Sequence, residues 1–203
     1  MFSKLISVEK RHIWTLSALI VGAAAALVAS FVLSTEAIQL AKNANTVLPC
    51  SLNAVINCAA VGAHPSASIF GFPNAFVGMV TLPVMLVIAV AVLMGTKFPK
   101  PFMFMAEIGA LAGAVFATWM FYVSYTVIQV LCPWCLTTDV AMLVILFALT
   151  RYNILEENLY LGKRANVRAQ QFIKKGFDLL AGVLVIVAVT AAIILKFGQT
   201  LFT

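Results

Sequence analysis

Charged residues are scarce in this chain. They make up 10% of its 203 residues, while 63% are hydrophobic. A soluble domain carries about 25% charged and about 45–50% apolar residues, so this composition excludes a soluble fold. The distribution of charge shows the same thing. No Asp, Glu, Lys or Arg occurs from Ile13 to Thr35, from Asn43 to Thr96, from Ile108 to Thr138 or from Leu179 to Leu195. Asp139 alone interrupts the run from Leu136 to Thr150. Acidic residues are fewest, seven against thirteen Lys and Arg. The excess bases flank the apolar runs and form no separate basic domain, which argues against nucleic-acid binding.

A membrane-crossing helix needs about 20 mostly apolar residues. The runs predict five spans near 12–34, 74–95, 102–128, 132–151 and 177–197. The first is longer than the 7–15-residue apolar core of a signal peptide (about that range), so despite "LVAS" it reads as an uncleaved helix. Lys and Arg collect on the cytoplasmic side of membrane proteins. With the N-terminus inside, Lys4, Lys10, Arg11, Lys97, Lys100, Arg151, Lys163, Arg164, Arg168, Lys174 and Lys175 all lie inside; only Lys42 and Lys196 lie outside. The expected fold is all-α. It is a four-helix transmembrane bundle plus a fifth, peripheral transmembrane helix, with the N-terminus cytoplasmic and the C-terminus outside. Residues 1–151 form the bundle, 152–176 a cytoplasmic link, and 177–203 the fifth helix and its outer tail. The outer loop, 35–73, is mostly apolar and is expected to fold back over the bundle mouth as a lid. Glu107 is expected near the inner interface, and Gly109 and Gly113 in a G-x-x-x-G that favours close helix packing.

This topology puts all four cysteines, Cys50, Cys58, Cys132 and Cys135, on the outer side, where disulfides persist. Cys132 and Cys135 stand in "CPWC" at the start of the fourth span. Residues three apart share a helix face; Pro133 suits a first helical turn; Trp134 suits the membrane boundary. Free N–H groups and the positive end of the helix dipole favour a thiolate there, as a redox pair requires. Two alternatives are weaker. A disulfide closing so short a loop contributes little stability. A zinc site needs four N or S ligands, which the four cysteines, or three with His64, supply only with unlike spacings; no metal is expected. Cys50 and Cys58 read either as a loop staple or, beside a C-x-x-C at the same face, as a second redox pair on a mobile arm. Thiol–disulfide exchange would then join the two pairs.

The order of these features resembles the bacterial branch of the vitamin K epoxide reductase family: a first-loop cysteine pair, then "SIFGFPNAFVG", then "CPWC" opening the fourth helix. The resemblance covers about Ile13 to Arg151. The DsbB family does similar chemistry with the two pairs in the reverse order, so it is an analogue. What the resemblance implies is a thiol oxidase of the bacterial cytoplasmic membrane, with its site at the extracytoplasmic face. It would reoxidise a thioredoxin-like (DsbA-like) extracytoplasmic partner and reduce a quinone, menaquinone ahead of ubiquinone. By position, Cys50 would take electrons from the partner, Cys58 would exchange with Cys132, and Cys135 would face the quinone. Asn74 matches a family asparagine that hydrogen-bonds a quinone carbonyl; a helix cap before the second span is its plain alternative.

Three departures from the family pattern stand out. Where many members carry a serine after the loop pair, this chain has His64, with Ser66 and Ser68 nearby; His64 either replaces that polar contact or faces water. Where animal members have a tyrosine four residues after the C-x-x-C, this chain has Asp139. A carboxyl within a span is costly and a functional candidate; Asp139 is expected to hydrogen-bond or protonate the quinone as the neutral acid, or else to be a polar residue satisfied by its neighbours. No thioredoxin-like domain is expected after the fifth span, so the partner would be a separate protein. Phe116, Trp119 and Met120 are candidate pocket linings or ordinary packing residues. Rival functions are an epoxide reductase fed by partner thiols and a metal-binding or structural membrane protein.

Overall fold

The computed structural model describes residues 2–201, with side chains from 12 to 198. Its helices in chain order are α1 (Phe2–Lys42), α2 (Cys58–Ala63), α3 (Ala75–Leu93), α4 (Lys100–Val123), α5 (Pro133–Leu155), α6 (Lys163–Lys174) and α7 (Phe177–Leu201). Five of them are long and apolar enough to cross a membrane. Among the described residues there is no strand beyond one isolated bridge.

The bundle is built on α1, which packs on α5 and α3, while α4 packs on α5. Small residues set the spacing. Ala23 and Ala26 of α1 lie fully buried with Ala141, Ile145 and Leu149 of α5. A Cβ on Gly22 would meet Val144 Cγ1 at 3.2 Å and the Ala141 carbonyl oxygen at 3.3 Å. Gly22 thus lets α1 and α5 approach closely, the role that small residues play where lipid offers no hydrophobic drive between helices. The expected G-x-x-x-G does not do this. A Cβ on Gly109 would make only an ordinary contact with Met85, and one on Gly113 would strike the flexible end of Met142.

The first helix runs eight residues past its predicted end at 34, because hydropathy and helix propensity measure different things. "TEAIQLAK" is polar enough to end an apolar run, yet Glu, Ala, Gln, Leu and Lys are good helix formers. So the connection begins at Asn43, not at Thr35. Likewise most of "FGQTLFT", expected as a tail, continues α7 through Leu201. Glu107, toward the start of α4, joins α4 to α5: Thr150 Oγ1 donates to one carboxylate oxygen and Asn153 Nδ2 to the other, the second at 2.9 Å.

The fifth long helix lies at the edge and is largely exposed along its middle. It is tied at both ends. Arg151 pairs with Asp178. Near the other end, Tyr125 Oη donates to the Ala192 carbonyl at 3.2 Å, and Phe197 is buried with Val55 and Leu131.

Candidate redox site

Cys132 and Cys135 sit at the start of α5 as "CPWC" dictates. Cys132 is the N-cap, in extended backbone, and Pro133 follows at the first helical position. The Cys135 backbone N–H donates to Cys132 Sγ at 3.3 Å. Both are free thiols; Cys132 is buried and Cys135 partly so. Cys132 stands just before the α5 span. Its thiol is held below the usual range, chiefly by the side-chain hydrogen bond with Cys135 and also by the Cys135 and Trp134 N–H groups, against burial. A thiol so lowered is more readily present as the thiolate, the nucleophilic form.

The chain reaches Cys132 through an irregular turn. After α4 comes a π-helical turn, Ser124–Ile128, closed by Gln129 in left-handed backbone at φ 58°. A non-glycine residue there is strained and persists only where its surroundings hold it. Here Ser124 Oγ donates to the Val130 carbonyl at 2.5 Å across the turn. Leu131 then emerges extended and pairs with Ile56 of the loop in a parallel bridge. Leu131 N donates to the Val55 carbonyl at 2.7 Å, and Asn57 N to the Leu131 carbonyl at 3.0 Å.

This register is what aligns the two cysteine pairs. Ile56 opposes Leu131; Cys58, two residues on from Ile56, is the first residue of α2, and Cys132, one residue on from Leu131, is the N-cap of α5. Asn57 fixes the start of α2: its Oδ1 accepts from Ala60 N at 3.0 Å and from Ser51 Oγ at 3.0 Å. Cys58 and Cys132 are both almost fully buried, in one cluster with Leu48, Cys50 and Val61. Leu33 and Leu40 of α1 and Trp134 pack around it. Cys50 and Cys58 form a disulfide. The structure therefore juxtaposes an oxidised pair and a reduced pair.

On the bundle side lies a small cavity of about 10 Å³, lined by Val61, Met120, Phe121, Ser124, Cys132, Cys135, Leu136 and Asp139. Asp139 is one helical turn below Cys135 on the same face, and it accepts no hydrogen bond among the described residues. Asn74 stands at the start of α3, but its side chain does not cap that helix. Its Nδ2 donates to the Ser66 carbonyl at 2.7 Å, and its Oδ1 accepts from Ile69 N at 3.2 Å. The second Nδ2 hydrogen meets only the weak acceptor Met120 Sδ, at 3.9 Å. Of the three aromatic and methionine candidates on α4, Met120 lines the cavity; Phe116 packs between Phe70 and Trp119.

His64 does more than face water. Ser66 N donates to its Nδ1 at 3.2 Å, so that nitrogen is the acceptor, and Ser66 Oγ lies 2.8 Å from the same atom. His64 thereby caps the short 3-10 turn Pro65–Ser68, which carries the Ser66 carbonyl that holds Asn74. Ser68 makes no side-chain hydrogen bond among the described residues.

One residue of the site went unnoticed in the sequence. Glu36, on the extension of α1, is 6% exposed, and its Oε1 lies 3.0 Å from Cys50 Sγ. The signal for it was local: Leu33, Glu36 and Leu40 fall on one helical stripe, and that stripe packs on the cysteine cluster. Glu36, Cys50 and Cys58 present their ligand atoms within 4.8 Å of one another, but two of those atoms are sulfurs already bonded to each other and offer no thiolate to a metal.

Two cysteine pairs, one oxidised and one reduced, converge at one end of a helical membrane bundle, an arrangement suited to redox chemistry. The model of the vitamin K epoxide reductase family matches residues 17–150, two thirds of the chain and all four cysteines. The protein belongs to that family and is a multi-pass membrane oxidoreductase. A comparison with curated proteins finds no match. The family is associated with quinones and with thioredoxin-like partners.

Proposed function

We propose that this protein is a quinone-dependent thiol oxidase, which reoxidises a thioredoxin-like partner so that the partner can place disulfides in exported proteins. In this reading residues 1–151 are the catalytic bundle, 152–176 a cytoplasmic link and 177–203 a supporting helix. The cysteine end faces outward from the bacterial cytoplasmic membrane, with the N-terminus inside and the C-terminus outside. The observation that carries the reading is the Ile56–Leu131 bridge, which seats the oxidised loop pair against the reduced C-x-x-C.

The electron path is written in bonds. Cys132 and Cys135 give up two electrons and two protons and join as a disulfide. A partner thiolate attacks Cys50 Sγ, the Cys50–Cys58 bond breaks, and Cys58 leaves as a thiolate. Cys58 then attacks Cys132, forming the Cys58–Cys132 disulfide and releasing Cys135 as a thiolate. The partner's second thiolate resolves its bond to Cys50. Cys50 attacks Cys58, which restores the loop disulfide and returns Cys132 to the thiolate.

A quinone, when bound, supplies the two-electron, two-proton acceptor that this path needs. The polar groups around the cavity fit one. Asn74, which does not itself line the cavity, has an N–H on the weak acceptor Met120 Sδ; Asp139 lines it with a carboxyl that accepts no hydrogen bond among the described residues, and Cys135 lies on the same wall. The cavity has room for about one water, so a ring is accommodated only when Met120, an adaptable side chain, withdraws. Asn74 would hold one carbonyl, Asp139 would hold or move a proton at the other, and His64 and Ser66 would keep Asn74 in place.

The test is Cys58→Ser. Partner-fed quinone reduction should fall to background, while a small dithiol that reaches the C-x-x-C directly should still drive it. Normal oxidation of a thioredoxin-like partner by this variant would sink the relay.

A further inference from the structure

Glu36 has no place in the path just described, yet it touches the sulfur on which that path begins. It is a buried carboxyl, and neither ion pair among the described residues includes it. Its Oε1 lies 3.0 Å from Cys50 Sγ. A disulfide sulfur carries no hydrogen, so the contact is a hydrogen bond only when the proton sits on the carboxyl. When Cys50 is reduced, the same geometry lets the thiol donate to the carboxylate. One distance thus serves both redox states, provided that a proton moves between the two atoms.

We infer that Glu36 is the acid–base catalyst of the loop pair, holding the proton that Cys50 takes up and gives back in each cycle. The inference rests on the thiol-oxidase reading. As the partner's second thiolate resolves the mixed disulfide, Cys50 leaves, and neutral Glu36 donates its proton to the departing sulfur; the products are a Cys50 thiol and a Glu36 carboxylate. Cys50 then attacks Cys58 in the Cys58–Cys132 disulfide, and the carboxylate takes the proton back. The loop disulfide reforms, Cys132 leaves as a thiolate, and Glu36 is neutral again. Two electrons have passed from the partner dithiol to the C-x-x-C, and Glu36 has gained and lost none.

The surroundings suit this role. Leu33 and Leu40 flank Glu36 on the face of α1 that covers the cysteine cluster, so bulk water is a poor source of that proton. The titratable groups facing Glu36 are Cys50 and Cys58 of the loop and, at longer range, Cys132 and Cys135 at the start of α5. A mere packing role would explain burial, but a leucine would serve it without the cost of a buried carboxyl.

The experiment uses the full chain in detergent, fully reduced, with Cys50 alkylation followed peptide by peptide across pH. A carboxylate beside a thiol holds its proton on, so Glu36→Gln should move the alkylation midpoint of Cys50 down by about one pH unit. Glu36→Asp, with its carboxyl withdrawn by one methylene, should fall between. In turnover, Glu36→Gln should slow partner-fed quinone reduction roughly ten- to a hundredfold and leave reduction fed directly to the C-x-x-C unchanged. An unmoved Cys50 midpoint in both variants overturns the inference, as does zinc-dependent protection of Cys50 that requires Glu36. If the parent chain reduces no quinone, the oxidase reading fails, while the alkylation midpoint still reports on Glu36. Re-formation of the Cys50–Cys58 bond on oxidation shows that each variant has folded.

Discussion

At the end of the bundle far from the cysteines, several polar groups hold one another, although Asp178 Oδ1 is buried there without a hydrogen bond among the described residues. His12 lies 2.9 Å from Glu156, Glu107 is bonded by Thr150 and Asn153, and Asn153 accepts from Asn158 at 3.1 Å. At the cysteine end the polar groups are held loosely or not at all. Among the described residues, Asp139 accepts no hydrogen bond, Asn74 keeps one N–H on a methionine sulfur, and Glu36 meets the Cys50 sulfur. The first arrangement joins helices. The second leaves groups free to change partners, as a site must when a substrate arrives or a bond is exchanged.

That contrast can be broken or sharpened at three points. The largest effect is expected at Asp139. Asp139→Asn keeps the shape but cannot supply a proton, and should slow quinone reduction about a hundredfold, with little change in stability. Quinone reductase assays across pH check it; full activity at every pH removes the proton role. Next comes the satisfied end. Asn153→Ala removes the donor that Glu107 and the Met103 carbonyl share and should cost about 1–3 kcal/mol of stability. Thermal unfolding in detergent measures that loss, and turnover per folded molecule should not change. A matching fall in turnover would show that the two ends are not separate. The smallest effect is at the joint between loop and bundle. Leu131→Pro deletes the 2.7 Å bond to Val55 and should slow partner-fed turnover by no more than about tenfold. Direct reduction of Cys132–Cys135 by a small dithiol, followed by thiol counting, should be unaffected.

Much of this was legible in the chain, for reasons that differ by residue. The place of Cys132 and Cys135 was readable because proline and the i, i+3 spacing specify a first helical turn locally. The five spans were readable because a bilayer requires apolar runs of a fixed length. The end of α1 was not, since hydropathy stops at Ser34 while helix propensity runs to Lys42. Asn74 was legible as a special position before α3, but its protein partner was not. The Ser66 carbonyl it bonds is eight residues back, on a turn that His64 caps.

Glu36 shows the limit most clearly. It lies fourteen residues from Cys50, beyond any local spacing rule, and in sequence it is one acidic residue after an apolar run. By itself the sequence determined that this is a helical membrane protein, the number of spans and the place of the C-x-x-C, because these follow from composition, run length and short-range geometry. Only the tertiary structure decided how the loop disulfide sits against the start of α5. That seating involves the pairing of Ile56 with Leu131, residues 75 apart in the chain, the packing of Leu33 and Leu40 around the cysteines, and the extra turns of α1 that bring a carboxyl against the loop disulfide.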